Sequence, residues 1–300
     1  MMAQLLNGRY VSNLLLPEIK SKTLELTNLL KRPPTLAVIL IGENPASQIY
    51  VANKHKACLG VGITPRAYHL PTDIRTTQLL ALIDTLNHNI EVDGILVQLP
   101  LPLHINPATI ISSIEQYKDV DGFHPCNMGH LATRTPLLRP CTPMGIMRLL
   151  NHYNIDVRGK HAVVVGASNI VGRPMALEFL HASATVTICH SATIELAQHV
   201  RMADILVIAT GIQDLIDPNW LHKNQIIIDV GIHRLQDNTL RGDLNFNEVV
   251  TKVAWLTPVP GGVGPMTIIS LLENTLFSTR LLHAKRANAT HRNYQQNNRI

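Results

Sequence analysis

The stretch that decides the fold of this chain is HAVVVGASNIVGRP, residues 161–174. Its apolar run predicts a buried strand, Gly166 begins a turn, and a helix should start near Gly172. A strand, a glycine turn and a helix N-terminus together form an anion site, because main-chain N–H groups point at the ligand. This pattern indicates a dinucleotide-binding turn. An ordinary strand-to-helix connection is the alternative, because Ser168 replaces the second glycine of the usual motif.

The next strand, ATVTICH (184–190), indicates which dinucleotide would bind. NAD-binding units place an Asp or Glu at the end of their second strand, where it holds the ribose 2′-hydroxyl. Here the strand ends in His190 and Ser191, with no acid. Arg173, at the start of the helix, is available to a 2′-phosphate. These features favour NADP over NAD.

The alternation of strand and helix continues in both directions and predicts a parallel α/β architecture. A length of 300 residues suits two domains, and 46% apolar with 16% charged residues suits packed globular structure. One helix should run from Asn44 to about Leu59 and stop at Gly60, and the last should run from Pro265 to about His283. The predicted strands lie at 35–42, 63–70, 93–102, 161–168, 184–190, 204–211 and 225–231.

The charge of the chain argues against a nucleic-acid partner. The formal net charge is +5, and four positive charges come from Lys285, Arg286, Arg292 and Arg299 near the end of the chain. The rest of the chain is nearly neutral, so it offers no broad basic face.

The cysteines and the apolar runs indicate where the protein works. Cys58, Cys126, Cys141 and Cys189 are widely spaced, which favours free thiols in a reducing compartment over disulfides or a zinc site. The histidines form no metal-binding motif, so no metal is expected. No apolar run approaches the ~18 residues of a membrane helix. We therefore expect a cytoplasmic protein without a membrane partner.

Four segments outside the dinucleotide turn contain candidate site residues. Tyr50 and Lys54 are four apart in one predicted helix, so they share a face; a ring beside an amine suits a planar heterocyclic ligand. The same spacing is also common on solvated helices. Gln98 lies at the C-terminal end of an apolar strand, and ligands of open α/β sheets bind outside such ends. Asp121, in DVDGFHP (119–125), either belongs to a plain turn or presents its carboxylate to the hydrogen-bond donors of a ligand. The glycines of TPVPGGVGPMT (257–267) leave the backbone open to close contact with a ligand.

In this order, the segments closely resemble the bacterial family of bifunctional methylenetetrahydrofolate dehydrogenase/methenyltetrahydrofolate cyclohydrolase. The resemblance extends from about residue 35 to 275. The matching segments are VILIGENPASQIYVANKHKA, DGILVQLPLP, KDVDGFHP, RPCTPMGI, VVGASNIVGRP, IDVGI and TPVPGGVGPMT.

The resemblance implies roles for the matched positions. Lys54 would be the catalytic lysine of the cyclohydrolase step, Tyr50 would stack on the folate, and Gln98 would hydrogen-bond Lys54. Asp121 would bind and orient the pterin. The folate cleft would also be lined by Val97, Leu99, Pro260, Gly261, Gly262, Val263 and Gly264. NADP would contact Gly166, Ala167, Ser168, Ser191 and Ile232, although many members of the family carry Arg at the position of Ala167.

The resemblance also implies a shape and an assembly. Two α/β domains would flank a cleft: a folate-binding domain of residues 1–140 and 265–300, and a Rossmann-like NADP-binding domain of residues 141–264. The C-terminal helix would return to the first domain, and the protein would be a homodimer. The tail is unlike the family ending, and its polar sequence ANATHRNYQQNNRI (287–300) predicts disorder from about residue 284. Two other functions remain open: a dehydrogenase without cyclohydrolase activity, and a non-catalytic protein that binds folate or a nucleotide.

Overall fold

The computed structural model describes residues 2–297 and contains two compact α/β units. The large-sheet unit comprises residues 2–15, 130–136 and 140–270. The small-sheet unit comprises residues 16–129, 137–139 and 271–297. Both contain parallel sheets, as the alternation of strand and helix predicts.

The strands are β1 (Gln4–Leu5), β2 (Thr35–Ile41), β3 (Thr64–Leu70), β4 (Gly94–Val97), β5 (His161–Val165), β6 (Thr185–Cys189), β7 (Ile205–Ile208), β8 (Ile226–Asp229), β9 (His233–Arg234), β10 (Leu240–Arg241) and β11 (Trp255–Leu256). The α-helices are α1 (Gly8–Leu30), α2 (Pro45–Val61), α3 (Thr76–His88), α4 (Pro107–Ser113), α5 (Pro125–Ala132), α6 (Cys141–His152), α7 (Gly172–His181), α8 (Leu196–Met202), α9 (Phe246–Val249) and α10 (Val263–Asn297).

The large sheet has the strand order β1-β11-β8-β7-β5-β6, and all of these pairings are parallel. Successive side chains of a strand point to opposite faces, so the sheet contributes to two cores. In β5, Ala162 and Val164 pack in one apolar cluster, while Val163 and Val165 pack in the other. Burial on both faces explains why this strand reads as a continuous apolar run.

The small sheet has the order β3-β2-β4, again parallel. Residues 118–119 lie beside β4, because the main-chain N–H of Ile95 donates to the carbonyl of Lys118 at 2.7 Å and Ile95 forms a bridge with Asp119. This pairing carries the DVDGFHP segment along the sheet edge towards the carboxyl end of β4, where Gln98 follows.

The observed units differ from the predicted domains at their boundaries. Residues 2–15 belong to the large-sheet unit because β1 pairs with β11 in its sheet. A two-residue strand has no periodicity from which it could be predicted. The large-sheet unit also extends to residue 270 rather than 264.

Two helices extend further than predicted. Helix α2 continues through Gly60 to Val61, and Gly62 ends it in the left-handed conformation, with φ of 89°. Helix α10 continues past His283 to Asn297, which corrects the predicted disordered tail as far as residue 297. No Gly or Pro interrupts residues 284–297, and adding residues to a formed helix costs far less than nucleating one. The rest of the predicted tail, 298–300, lies outside the described residues.

Candidate functional site

Helix α2 places Lys54 on its buried face. Asn44 caps the helix by accepting a hydrogen bond from the main-chain N–H of Ser47 at 3.0 Å, and Pro45 occupies the first turn. The buried residues Ser47, Val51, Lys54 and Cys58 recur at spacings of three and four, which defines one face. Lys54 is only 5% exposed, so it does not lie on a solvated helix face.

Two other predicted residues, Gln98 and Tyr50, lie close to the Lys54 amine. Its Nζ donates to Oε1 of Gln98 at 3.2 Å and lies 5.2 Å from the centroid of the Tyr50 ring. The amide of Gln98 is held in turn, because Nε2 donates to the carbonyl of Leu99 at 2.7 Å. This arrangement fixes which amide atom faces the lysine, and it contains the Lys54–Gln98 hydrogen bond that the resemblance implies.

Asp121 is electrostatically coupled to the same amine. Burial raises the pKa of Asp121, and the positive charge of Lys54 lowers it in part. The neighbouring carboxyl of Asp119 anchors the turn, because its Oδ2 accepts from the main-chain N–H of His124 at 2.7 Å and from Nδ2 of Asn127 at 2.9 Å. Burial raises the pKa of Asp119 to about 6, while those two hydrogen bonds act in the opposite direction.

The other predicted folate contacts are divided between the units. In the small-sheet unit, Val97 packs in the apolar core and Leu99 is half-buried. The glycine-rich segment 260–264 belongs to the large-sheet unit. There Gly261 has φ of 110°, and a Cβ on Gly8 would lie 1.8 Å from the carbonyl oxygen of Gly262. That segment therefore packs closely against the start of α1.

The turn after β5 has the form of an anion cradle. Gly166 has φ of 120°, and a Cβ there would lie 2.3 Å from the carbonyl oxygen of Ala209, so only glycine fits. Ser168 Oγ accepts from the main-chain N–H groups of Val171 and Gly172, at 3.1 and 3.3 Å. The residue that departs from the motif thus accepts hydrogen bonds from main-chain N–H groups at the start of α7. Among residues 2–297, none accepts a hydrogen bond from the main-chain N–H of Ser168 or Asn169, so both can meet an anion.

The remaining predicted cofactor residues surround this turn in sequence and are exposed. Arg173 is exposed, with its Nε donating to the carbonyl of Ala167 at 3.1 Å. Ser191 is exposed two residues after β6 ends, and Ile232 is 48% exposed after β8. Glycines without space for a Cβ, two available N–H groups and a nearby guanidinium fit a phosphate-bearing dinucleotide.

Sequence reasoning missed Asp243, a buried carboxylate whose hydrogen-bond partners follow β7 and β8. No local sequence signal identified it, because the strand ends whose loops it contacts lie well before it in the chain. In the part of the chain that the structure describes, no three His, Cys, Asp or Glu side chains converge as a metal site. No helix within residues 2–297 has both the length and the apolar character needed to cross a membrane.

Comparison with known proteins adds the following similarities. Residues 6–121 match the family "Tetrahydrofolate dehydrogenase/cyclohydrolase, catalytic domain", and residues 140–283 match its "NAD(P)-binding domain". "Bifunctional protein FolD" of Legionella pneumophila (strain Paris) is 57% identical over 282 residues, which cover 94% of this chain and 99% of the relative. A crystal structure of the bifunctional enzyme FolD from Campylobacter jejuni has 49% identity and a TM-score of 0.89, covering 93% of this chain and 99% of that chain. Trypanosoma brucei FolD, complexed with NADP and an inhibitor, has 35% identity and a TM-score of 0.89, covering 93% of this chain and 98% of that chain.

Proposed function

This chain belongs to the tetrahydrofolate dehydrogenase/cyclohydrolase family, and from that membership we propose which residues carry each of its two reactions. The protein is a bifunctional folate enzyme with NADP as its cofactor. It oxidises 5,10-methylenetetrahydrofolate to 5,10-methenyltetrahydrofolate and hydrolyses the methenyl product to 10-formyltetrahydrofolate. The two reactions make different demands on the protein.

Oxidation mainly requires positioning. Bound NADP would supply the acceptor for a hydride from the methylene carbon, and the nitrogen lone pairs of the folate would stabilise the resulting cation. The chain's task is to hold the folate in the reacting orientation. We assign this task to Tyr50, which stacks on the folate, and to Asp121, which accepts hydrogen bonds from the pterin. Main-chain atoms at 97–99 and 260–264 are proposed to line the folate site.

Hydrolysis requires proton transfer. Water adds to the methenyl carbon and loses a proton, which gives a neutral carbinolamine. The remaining hydroxyl proton leaves as the C=O bond forms, the bond from that carbon to N5 breaks and N5 takes up a proton, so the hydrolysis releases one proton overall. We assign the movement of these protons to the Lys54 amine, with Gln98 as the residue that orients it. This assignment rests on the hydrogen bonding of the buried Lys54 amine. Within residues 2–297, Gln98 Oε1 is the one acceptor recorded for Lys54 Nζ.

The cofactor is proposed to bind in the large-sheet unit. Residues 166–168 would hold the pyrophosphate, Arg173 and Ser191 would meet the 2′-phosphate, and Ile232 would contact the rest of the dinucleotide. The absence of an acid at the end of β6, in Thr185–Cys189, supports this assignment. The wild-type enzyme should therefore use NADP far more efficiently than NAD.

We further propose that two copies form a homodimer that works in the cytoplasm. The family resemblance and the widely spaced cysteines support this proposal, and of the four cysteines Cys58, Cys141 and Cys189 are buried as free thiols. Size-exclusion chromatography with light scattering tests the dimer directly. A mass equal to one chain at micromolar concentration would refute it.

Two spectrophotometric assays test the proposed function. NADPH formation from methylenetetrahydrofolate reports the oxidation, and loss of methenyltetrahydrofolate absorbance reports the hydrolysis. We expect both in one preparation. NADPH formation with accumulating methenyltetrahydrofolate would indicate a dehydrogenase alone. Binding of both ligands without turnover would indicate a non-catalytic protein.

A further inference from the structure

The carboxylate of Asp243 ties together two loops of the large-sheet unit. Asp243 is 1% exposed. Its Oδ2 accepts from the main-chain N–H and the hydroxyl of Thr210, at 3.0 and 2.7 Å, and from the main-chain N–H of Gly211 at 3.0 Å. Its Oδ1 lies 2.7 Å from Nε2 of His233. One side chain thus holds the loop after β7 and the two-stranded antiparallel ribbon formed by β9 and β10.

A second buried carboxylate fixes Asp243 itself. Asp229, at the end of β8, accepts from the main-chain N–H groups of Gly231, Asp243 and Leu244 at 2.9–3.0 Å. The two carboxylates approach the main chain so closely that positions 231 and 242 have space only for glycine. A Cβ on Gly231 would lie 2.0 Å from Oδ1 of Asp243, and a Cβ on Gly242 would lie 2.0 Å from Oδ2 of Asp229.

The hydrogen-bond network of Asp229 and Asp243 lies where the cofactor is proposed to bind. The loops after β7 and β8 follow the carboxyl ends of two neighbouring strands of the large sheet, where dinucleotides bind in such folds. Ile232, a proposed cofactor contact, stands between Gly231 and His233, whose positions depend on Asp229 and Asp243. Gly211 and Ile232 in these loops are exposed, so the hydrogen bonds of their neighbours to the two carboxylates must fix the loop conformation.

We propose that Asp243 is a positioning residue for NADP: it orders the loops at Thr210–Gly211 and Gly231–His233 so that they present Ile232 and their main chain to the dinucleotide. The proposal rests on the proposed cofactor site. Asp243 need not touch NADP, because it acts through the loops that it joins.

The decisive variant is Asp243→Asn. An amide oxygen can replace Oδ2, but the neutral amide loses the charge-assisted bonds and places an N–H group towards His233. The NADP dissociation constant and Michaelis constant should rise by about tenfold or more. Cyclohydrolase activity consumes no NADP and should stay within about twofold of wild type. The matched control is Asp237→Asn, an exposed carboxyl on the turn of the same ribbon, and it should change neither activity.

Thr210→Val keeps the proposal testable if Asp243→Asn does not fold. It removes the hydroxyl that donates to Asp243 at 2.7 Å and accepts from the main-chain N–H of Ile212 at 3.1 Å, while the main-chain donors to Asp243 and the size of the side chain are kept. We expect a smaller rise in the NADP Michaelis constant, roughly threefold, with kcat retained at saturating NADP. Unchanged NADP affinity in Thr210→Val, or equal loss of both activities in a folded Asp243→Asn protein, would overturn the proposal. Failure of the wild-type protein to bind NADP would instead refute the proposed function.

Discussion

Two buried lysines of the small-sheet unit meet very different surroundings. Lys118 is 2% exposed, and its Nζ donates to the carbonyls of Leu86, Asn87 and Asn89 at 2.7–2.8 Å. Lys54 is 5% exposed and donates to Gln98 alone among the residues that the structure describes. The first amine has an acceptor for each of its N–H bonds, whereas the second has capacity left for a ligand or a water molecule.

The difference separates a structural lysine from one suited to chemistry. The last carbonyls of a helix have no partner within it, and Lys118 satisfies those at the end of α3. Burial lowers the pKa of Lys118 to about 8, and the nearby charge of Arg286 acts in the same direction, yet the amine stays protonated at neutral pH. Lys54 lies beside a ring and an amide instead, and its charge lowers the pKa of Asp121, which burial raises. A buried donor without enough acceptors destabilises the fold, so its retention suits a catalytic role.

The comparison is tested most strongly by Lys54→Met, which keeps the length and apolar stem of the side chain but removes the amine. Cyclohydrolase activity should fall by about 10²–10⁴-fold, because a positioned proton-transfer group typically contributes that much. Some dehydrogenase activity should remain, since oxidation needs positioning rather than this proton transfer. The measurement is the ratio of the two activities in one preparation. An equal loss of both would make Lys54 a binding residue.

Lys118→Met should affect stability instead of chemistry. It leaves the three carbonyls at the end of α3 without their charged donor, and we expect a loss of roughly 2–4 kcal/mol in the free energy of unfolding by urea. The control is Lys20→Met, an exposed lysine of α1, which should change stability by less than about 0.5 kcal/mol. A folded Lys118→Met protein with a selectively lost cyclohydrolase activity would contradict the assignment.

The sequence distinguishes these two lysines only in part. The i, i+4 spacing identified Tyr50 and Lys54, and the apolar strand ending at Val97 identified Gln98, because both signals are local. Lys118 carried no such signal, since its three acceptors lie about thirty residues away in the chain, at 86–89. The same reason accounts for the missed Asp243, whose burial depends on loops after two different strands.

Strands that are evident from local sequence were predicted, whereas a strand that depends on distant pairing was not. Strands β5, β7 and β8 were predicted because each is an apolar run between turns. Strand β1 was missed, because its two exposed residues form a strand only through pairing with β11. Helix α1 was also missed, since it contains Pro17, which usually indicates a helix end.

The turn next to Lys118 should make stability depend on pH. The folded-state pKa of Asp119, about 6, lies above its ordinary value, so the folded protein holds this proton more tightly than the unfolded chain. Its contribution is full below about pH 4 and is lost as the pH rises through 6, by roughly 2–3 kcal/mol. In Asp119→Asn, the amide oxygen can keep both hydrogen bonds that reach Oδ2. This variant should lack that pH-dependent loss, whereas the exposed Asp73→Asn control should keep it. Parallel curves for wild type and Asp119→Asn between pH 4 and 7 would refute the prediction.

The smallest effect should come from the end of α10, which lies against the structural lysine rather than the catalytic one. Lys285 Nζ lies 3.1 Å from the centroid of the Tyr117 ring, and Arg286 donates to the carbonyl of Ile90 at 3.0 Å. A chain ending at residue 287 keeps both contacts and should have nearly the melting temperature and both activities of the full chain. A chain ending at residue 283 loses both and should be less stable by about 1 kcal/mol, since exposed contacts of this kind contribute little each. The ratio of the two activities should stay unchanged in both truncations, because neither removes a group near Lys54. A changed ratio would mean that α10 influences the catalytic lysine, and the two buried amines could no longer be treated as independent.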